Sequence, residues 1–257
     1  MAEKNIVAII QARMGSSRLP GKVLKDIGGR PMLEWVVKRA SRSQTISRVV
    51  VATTTDPADQ PVADFCAQAG YAYTRGDVYD VLNRYYTAAQ EFEADIIIRL
   101  TADCPLIDPG VIDKTVQAFL GANPPADFAA NRLPPPWGRT YPIGLDVEVC
   151  TFSALEDAWQ NAEHPHQREH VMPYLYENEE RFNILLVDHE RDFGDLRWTV
   201  DTPADLDLVR EVVSRFDGDD FSWLDVLALF EREPELKRIN ADVQHKHVYD
   251  IDDRMEQ

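Results

Sequence analysis

Cysteine is scarce in this chain. Cys66, Cys104 and Cys150 are the only three in 257 residues, an odd count with no short paired spacing. Neither a disulfide framework nor a zinc knuckle is therefore expected, and reduced thiols are. Long apolar runs are missing too: the amino-terminal stretch offers only Ile6-Val7-Ala8-Ile9-Ile10 before Gln11, too short for a signal-peptide core or a membrane span. A cytoplasmic protein without membrane contact is expected. Positive charge is in deficit, with 27 Lys and Arg against 44 Asp and Glu and a formal net charge of −17. Broad nucleic-acid binding is excluded on that balance, because it relies on basic surface to displace counterions from phosphates. Repeats, low-complexity segments and linkers are also missing. The expectation is one domain over residues 1–240 followed by a polar tail, 241–257.

Against the acidic background, Arg13, Arg18, Lys22, Lys25 and Arg30 form a local basic exception. Three of them fall in Ala12-Arg13-Met14-Gly15-Ser16-Ser17-Arg18-Leu19-Pro20-Gly21-Lys22, directly after the first apolar run. In open α/β sheets ligands bind at the carboxyl ends of strands, where this loop begins. Gly15 and Gly21 let backbone N–H groups turn toward an anion, Ser16 adds a hydroxyl, and forked Arg and flexible Lys supply unlike charge geometries. The spacing is not that of a P-loop: five residues separate the glycines, and Val23 stands where a magnesium-binding Ser or Thr is needed. Gly-x-Gly-x-x-Gly is absent as well. A polyphosphate cradle of another type is the expectation, with a solvated basic loop as the alternative.

Strands and helices alternate beyond the loop. Met32, Leu33, Val36, Val37 and Ala40 recur at helical spacing after Pro31. Buried strands are expected at 48–52 and 95–100, a short one at 71–74, and helices at 58–69 and 78–92. This rhythm predicts an α/β fold, a mostly parallel sheet with helices on both faces. The proline-rich stretch 121–142 reads as a loop or lid. Further strands are expected at 145–150, 184–187 and 196–200, and helices at 152–161, 165–178 and 202–215. A smaller β/α insertion and a helical appendage over 219–240 complete the scheme.

Asp103 and Asp201 each follow a strand-like run, so both are expected at the same sheet edge as the loop. Mg2+ commonly takes one or two carboxylates together with substrate phosphates. The plainer alternatives are a helix cap for Asp201 and a turn residue for Asp103.

Five stretches in order carry a family resemblance: Ile9–Lys22, Arg99-Leu100-Thr101-Ala102-Asp103-Cys104-Pro105-Leu106-Ile107-Asp108, Gly144-Leu145-Asp146-Val147-Glu148-Val149, Arg168-Glu169-His170-Val171 and Asp201-Thr202-Pro203-Ala204-Asp205-Leu206. From about residue 5 to 240 the chain resembles cytidylyltransferases that activate acidic sugars, the 3-deoxy-manno-octulosonate and acylneuraminate enzymes among them. It is most similar to the branch named for spore coat polysaccharide synthesis. The resemblance implies a nucleotide-diphospho-sugar transferase-like fold and transfer of CMP from CTP to a small acidic acceptor, with pyrophosphate released. It implies Mg2+ on Asp103 and Asp201, and charge neutralisation by Arg13, Arg18 and Lys22. Nucleotide contacts are implied at Ala12, Arg13, Gly15, Ser16, Arg18, Lys22, Asp80 and Asn83, with backbone near Ala12 and Arg13 reading the base. Acceptor contacts are implied at Gly144, Asp146, Glu148, Arg168 and His170, and a homodimer through 137–190. For Asp80 and Asn83 an exposed polar helix face competes with this reading; for Asp146 and Glu148 a solvated face or a cross-strand ion pair does. A glycosyltransferase of related fold would need an Asp-x-Asp motif after a central strand, and Asp250-Ile251-Asp252 has only the spacing. A non-catalytic nucleotide-binding homologue is the third possibility.

Overall fold

The computed structural model describes residues 4–244. Its strands are β1 (Ile6–Gln11), β2 (Asp26–Ile27), β3 (Arg30–Pro31), β4 (Arg48–Thr54), β5 (Ala72–Gly76), β6 (Ile96–Thr101), β7 (Phe128–Ala130), β8 (Glu148–Thr151) and β9 (Ile184–Leu186). The helices are α1 (Met32–Ala40), α2 (Gln60–Ala69), α3 (Val81–Glu91), α4 (Pro109–Gly121), α5 (Phe152–Asn161), α6 (Pro165–His170), α7 (Pro173–Tyr176), α8 (Pro203–Val213) and α9 (Trp223–Arg232).

All but the β2–β3 hairpin join one seven-stranded sheet, in the order β5-β4-β1-β6-β8-β7-β9. Pairs β4–β5, β1–β4, β1–β6 and β7–β9 are parallel, while β8 runs antiparallel to both its neighbours. The continuous Ile/Val/Ala runs of β1, β4 and β6 have a simple cause: a central parallel strand is covered on both faces and must be apolar at every position. Ile6, Ala8 and Ile10 point into one core layer with α1, α4, α8 and α9; Val7 and Ile9 point into the other with α3, α5 and α7. Burying one such side chain contributes about 1.5–3 kcal/mol.

The structure departs from the sequence expectations in three places. Helix 165–178 is two short helices, because Val171 adopts φ +72° and Pro173 starts the second. Residues 196–200 form no strand; they run beside Ile143, with one isolated bridge at Arg197, and Val200 N–H donates to Asp103 O. The proline-rich stretch contains β7, and α4, which was not anticipated, lies just before it. The helical appendage expected over 219–240 is present, as α9 plus a 3-10 turn, Pro234–Arg238. The tail from 245, including Asp250 and Asp252, lies outside the described residues. Among the described residues no helix is long and apolar enough to cross a membrane.

Candidate active site

The loop after β1 is fastened at both ends and in its middle. Ala12 N–H donates to Ala52 O at 3.1 Å, Met14 N–H to Asp59 Oδ1 at 2.6 Å, and Gly21 N–H back to Met14 O at 2.9 Å. Inside it, the Ser16 hydroxyl accepts from Leu19 N–H at 3.3 Å, with Gly15 and Ser17 around it. Gly21 takes φ +68°, a left-handed value suited to glycine, and opens the 3-10 turn Lys22–Leu24. That reversal directs the Lys22 stem inward, across the carboxyl end of the sheet.

Lys22 Nζ lies 2.7 Å from Asp103 Oδ2, 2.8 Å from Asp201 Oδ1 and 3.0 Å from Val200 O. Arg18 Nη2 meets the other oxygen of Asp201 at 3.0 Å. Residues separated by up to 183 positions thus share one cluster, from Arg18 to Asp201. Asp103 arrives from the turn after β6, where Cys104 N–H donates to Thr101 O. Asp201 is brought there by backbone: Val200 N–H donates to Asp103 O at 2.8 Å. It does not cap α8. Thr202 does, in a capping box with Asp205, so the Asp201 carboxylate is left to the cations.

Residues beyond those read from sequence support this cluster. Arg197 Nη2 reaches Asp201 Oδ2 at 2.7 Å, and its Nε reaches the fully buried Asp205 at 3.0 Å. Asn240, from the C-terminal appendage, donates to Asp205 Oδ1 at 2.9 Å and to Arg197 O at 3.1 Å. The Thr202-x-x-Asp205 box is a readable sequence signal; Arg197 and Asn240 have none, since their partners are set only by the fold.

Burial alone would lower the Lys22 pKa, but Asp103 and Asp201 raise it above the usual value. Burial would raise that of Asp201, yet Lys22, Arg18 and Arg197 hold it well below the carboxylate range. Each shift has its own sign in pH. The Asp201 contribution to stability is present above its ordinary pKa of 3.8 and lost as pH falls through the depressed native value. The Lys22 contribution is full below 10.5 and lost as pH rises through the elevated one. Urea midpoints are expected to drop on the acid side in the native protein and to do so less in Asp201→Asn; parallel acid limbs would refute the linkage.

The two carboxylates suit a hard divalent cation. Each has an oxygen within 2.8 Å of the same ammonium, so a single cation already bridges them. No group of three or more candidate ligands occurs among the described residues, and two carboxylates plus phosphate oxygens is a donor set that Mg2+ accepts. Asp103 and Asp201 are the residues that would hold it.

Other sequence candidates are engaged differently. Asp80 caps α3 by accepting from Asn83 N–H, and it is ion-paired with Arg168. Arg168 also donates to Trp159 O at 2.7 Å, and Asn83 Oδ1 accepts from Trp159 Nε1 at 2.9 Å. Asp80, Asn83 and Arg168 thus clamp α3 to the α5–α6 region, in place of an open polar face on α3 and a free guanidinium fork. Asp146 and Glu148 do not share a strand face, because β8 begins only at Glu148. Asp146 pairs with Arg139 at 2.9 Å, and Glu148 makes the cross-strand ion pair with Arg99, both partners buried. His170 closes α6.

Gly144 has a packing role. At φ +108°, a Cβ there would come 2.6 Å from Thr199 N and 2.8 Å from the Trp198 carbonyl carbon, both backbone atoms. Gly144→Ala is expected to push residues 198–201 away, costing about 1–3 kcal/mol and displacing Asp201. Wild-type melting together with wild-type turnover in this variant would contradict the packing role.

A basic loop after the first strand, with two aspartates at the ends of later segments on one sheet edge, can be compared with known proteins. A solved cytidylyltransferase from Leptospira borgpetersenii serovar Hardjo-bovis superposes with a TM-score of 0.86 at 34% identity, covering 95% of this chain and 100% of that one. The solved CMP:2-keto-3-deoxy-manno-octonic acid synthetase complexed with CTP gives 0.62 at 26% identity, over 82% of this chain and 99% of its own. The spore coat polysaccharide biosynthesis protein SpsF of Bacillus subtilis is 28% identical over 238 residues, 90% of this chain and 96% of that protein. The family model described as cytidylyltransferase matches residues 7–246, nearly the whole chain, and with the fold and the sheet-edge cluster in agreement, the chain belongs to the cytidylyltransferase family.

Proposed function

We propose that this enzyme transfers CMP from CTP to a small acidic acceptor, a sugar acid or a phosphonate or phosphate, releasing pyrophosphate in a magnesium-dependent reaction that serves surface glycan synthesis. One observation carries the proposal: Lys22 spans Asp103 and Asp201 while Arg18 caps the latter, at the edge where the phosphate loop leaves β1. An acceptor oxygen attacks the α-phosphorus, and the bond to the β-phosphate oxygen breaks on the opposite side. The chain's part is positioning and charge neutralisation. Lys22 and Arg18 move from the carboxylates onto phosphoryl oxygens, Arg13 adds charge from the start of the loop, and the loop N–H groups hold the leaving pyrophosphate. Asp103 and Asp201 would hold Mg2+, which would supply Lewis-acid charge stabilisation there. An acceptor that is already ionised needs no strong base.

The SpsF relative's name supports a role in polysaccharide synthesis, and the octonic acid synthetase supports an acidic sugar as acceptor. Pyrophosphate release, assayed with CTP, UTP, ATP and GTP against a panel of acidic acceptors, tests base and acceptor together. Turnover confined to CTP plus an acidic acceptor is the expected result, and sugar transfer from a nucleotide sugar would overturn the proposal. A homodimer through 137–190 is part of it, supported by β9 standing half-buried at the sheet edge within that segment. Light scattering that gives a monomer at assay concentration would remove it.

A further inference from the structure

The appendage after α8 grips both carboxylate-bearing segments. At its start, Trp223 N–H donates to Asp108 Oδ2 at 2.8 Å, and Arg39 joins Asp219 O to Ile107 O, at 2.8 and 2.7 Å. Ile107 and Asp108 close the turn that begins at Asp103: Ile107 N–H donates to Cys104 O at 3.0 Å, and Asp108 caps α4. At the other end stands Asn240, just past the 3-10 turn and buried. Between the two ends, Phe230 of α9 packs on Trp198 with ring centroids 5.7 Å apart.

Both amide hydrogens of Asn240 are engaged. One goes to Arg197 O at 3.1 Å and the other to Asp205 Oδ1 at 2.9 Å. These acceptors are the two ends of segment 197–205, so a single carboxamide staples the stretch that carries Asp201 at its middle. Asp205 passes the constraint on. Its Oδ2 accepts from the backbone N–H of Asp201 and of Thr202, each at 3.0 Å, and its Oδ1 also takes Arg197 Nε at 3.0 Å. Arg197 in turn holds Asp201 Oδ2 at 2.7 Å. A fully buried carboxylate that loses one donor reorients toward those that remain, and Asp205 cannot turn without moving the Asp201 N–H.

We infer that Asn240 is a positioning residue for the carboxylate of Asp201, and that the appendage over 219–240 is a brace fixing Asp201 relative to Asp103. Asn240 acts through Asp205 and Arg197 and takes no part in the chemistry. The inference rests on the magnesium-dependent reaction proposed above. A cation shared by two carboxylates needs both at one separation, and outer contacts that orient metal ligands are commonly worth about 10–100-fold in metal affinity. A merely stabilising appendage predicts a lower melting temperature alone. A brace predicts weaker metal binding beside intact nucleotide binding.

Manganese titration, followed by loss of the free-ion paramagnetic resonance signal with a non-hydrolysable CTP analogue present, tests this in wild type, Asn240→Leu, Asn240→Ser and Leu229→Ala. Leucine is close to asparagine in shape and deletes both donors; serine keeps one. Leu229 is fully buried on α9, and truncating it weakens the packing of the appendage while leaving the hydrogen bonds of the brace in place. Asn240→Leu is expected to bind Mn2+ about tenfold more weakly, and its Mg2+ concentration for half-maximal turnover to rise by the same factor. Its affinity for the analogue at saturating Mn2+ should stay within about twofold of wild type, because the basic loop is untouched. Asn240→Ser should fall between the two. Leu229→Ala should lower the melting temperature at least as far as Asn240→Leu does, yet hold Mn2+ affinity within about twofold of wild type. Wild-type Mn2+ affinity in Asn240→Leu would overturn the inference, as would an equal loss of Mn2+ affinity in Leu229→Ala, which would make the appendage a stabiliser only. Should Asn240→Leu not fold, Asn240→Ser set against Leu229→Ala decides by the same comparison. Absence of Mn2+ binding by the wild type would instead overturn the metal-dependent reaction itself.

Discussion

Lys22→Met is expected to lower turnover with CTP about a thousandfold, the scale of removing one preorganised charge from a transition state. Methionine keeps much of the stem and deletes the ammonium that meets Asp103 at 2.7 Å and Asp201 at 2.8 Å. Without it the two carboxylates face one another, a repulsion on the order of a few kcal/mol at this degree of burial. The variant should therefore also melt earlier. Added Mg2+ should restore its melting temperature more than it raises that of wild type, because a divalent cation substitutes for the ammonium between the same oxygens, while turnover stays low. The companion variant Asp103→Asn should keep the fold and lose nearly all activity. Turnover within tenfold of wild type in Lys22→Met, or a melting temperature indifferent to Mg2+, would remove Lys22 from the chemistry and the cation from the carboxylates.

Glu148→Ala is expected to cost about 3–5 kcal/mol of stability, the range for breaking a buried ion pair from one side. Glu148 is paired with Arg99 across β6 and β8, the register partners, and they are 4% and 9% exposed. Burial alone would depress the Arg99 pKa, but Glu148 raises it, so the guanidinium stays charged and would be stranded by the substitution. In a protein of this size the melting temperature should fall on the order of 10 °C. Replacing both partners by apolar residues, Arg99→Met with Glu148→Leu, should recover most of that loss. An acceptor-binding Glu148 would behave otherwise, raising KM at unchanged melting temperature; that outcome would refute the structural assignment.

Much of this architecture is legible in the residues themselves because local and global forces agree there. β1, β4 and β6 are apolar runs since both sheet faces are covered, and α1 shows its buried stripe at the helical period. Two of the departures carry local signals of their own. Asp108-Pro109 begins α4 with a side-chain cap and a proline in its first turn, followed by Val111, Ile112, Val116 and Phe119 at helical spacing; Pro173 marks a break within 165–178, because a proline inside a helix removes a hydrogen bond and clashes with the preceding turn. Others had none. β7 is three residues long and hidden among prolines, and the segment 196–200 has strand composition but no ladder, because it runs past Gly144 to deliver Asp201. At the site, residues that depend on a single loop or strand end, such as Arg18, Lys22 and Asp103, could be picked out from the sequence. Partnerships across the fold could not: Arg168 with Asp80, Glu148 with Arg99, Asn240 with Asp205 and Arg197.

The most direct measurement of the central arrangement is anomalous diffraction from crystals grown with Mn2+ and a non-hydrolysable CTP analogue. A single cluster built from the early basic loop and the two distant carboxylates predicts a manganese peak in contact with both Asp103 and Asp201, and the triphosphate held by Lys22 and Arg18. Manganese bound elsewhere, or a nucleotide seated away from the loop over residues 12–22, would contradict it.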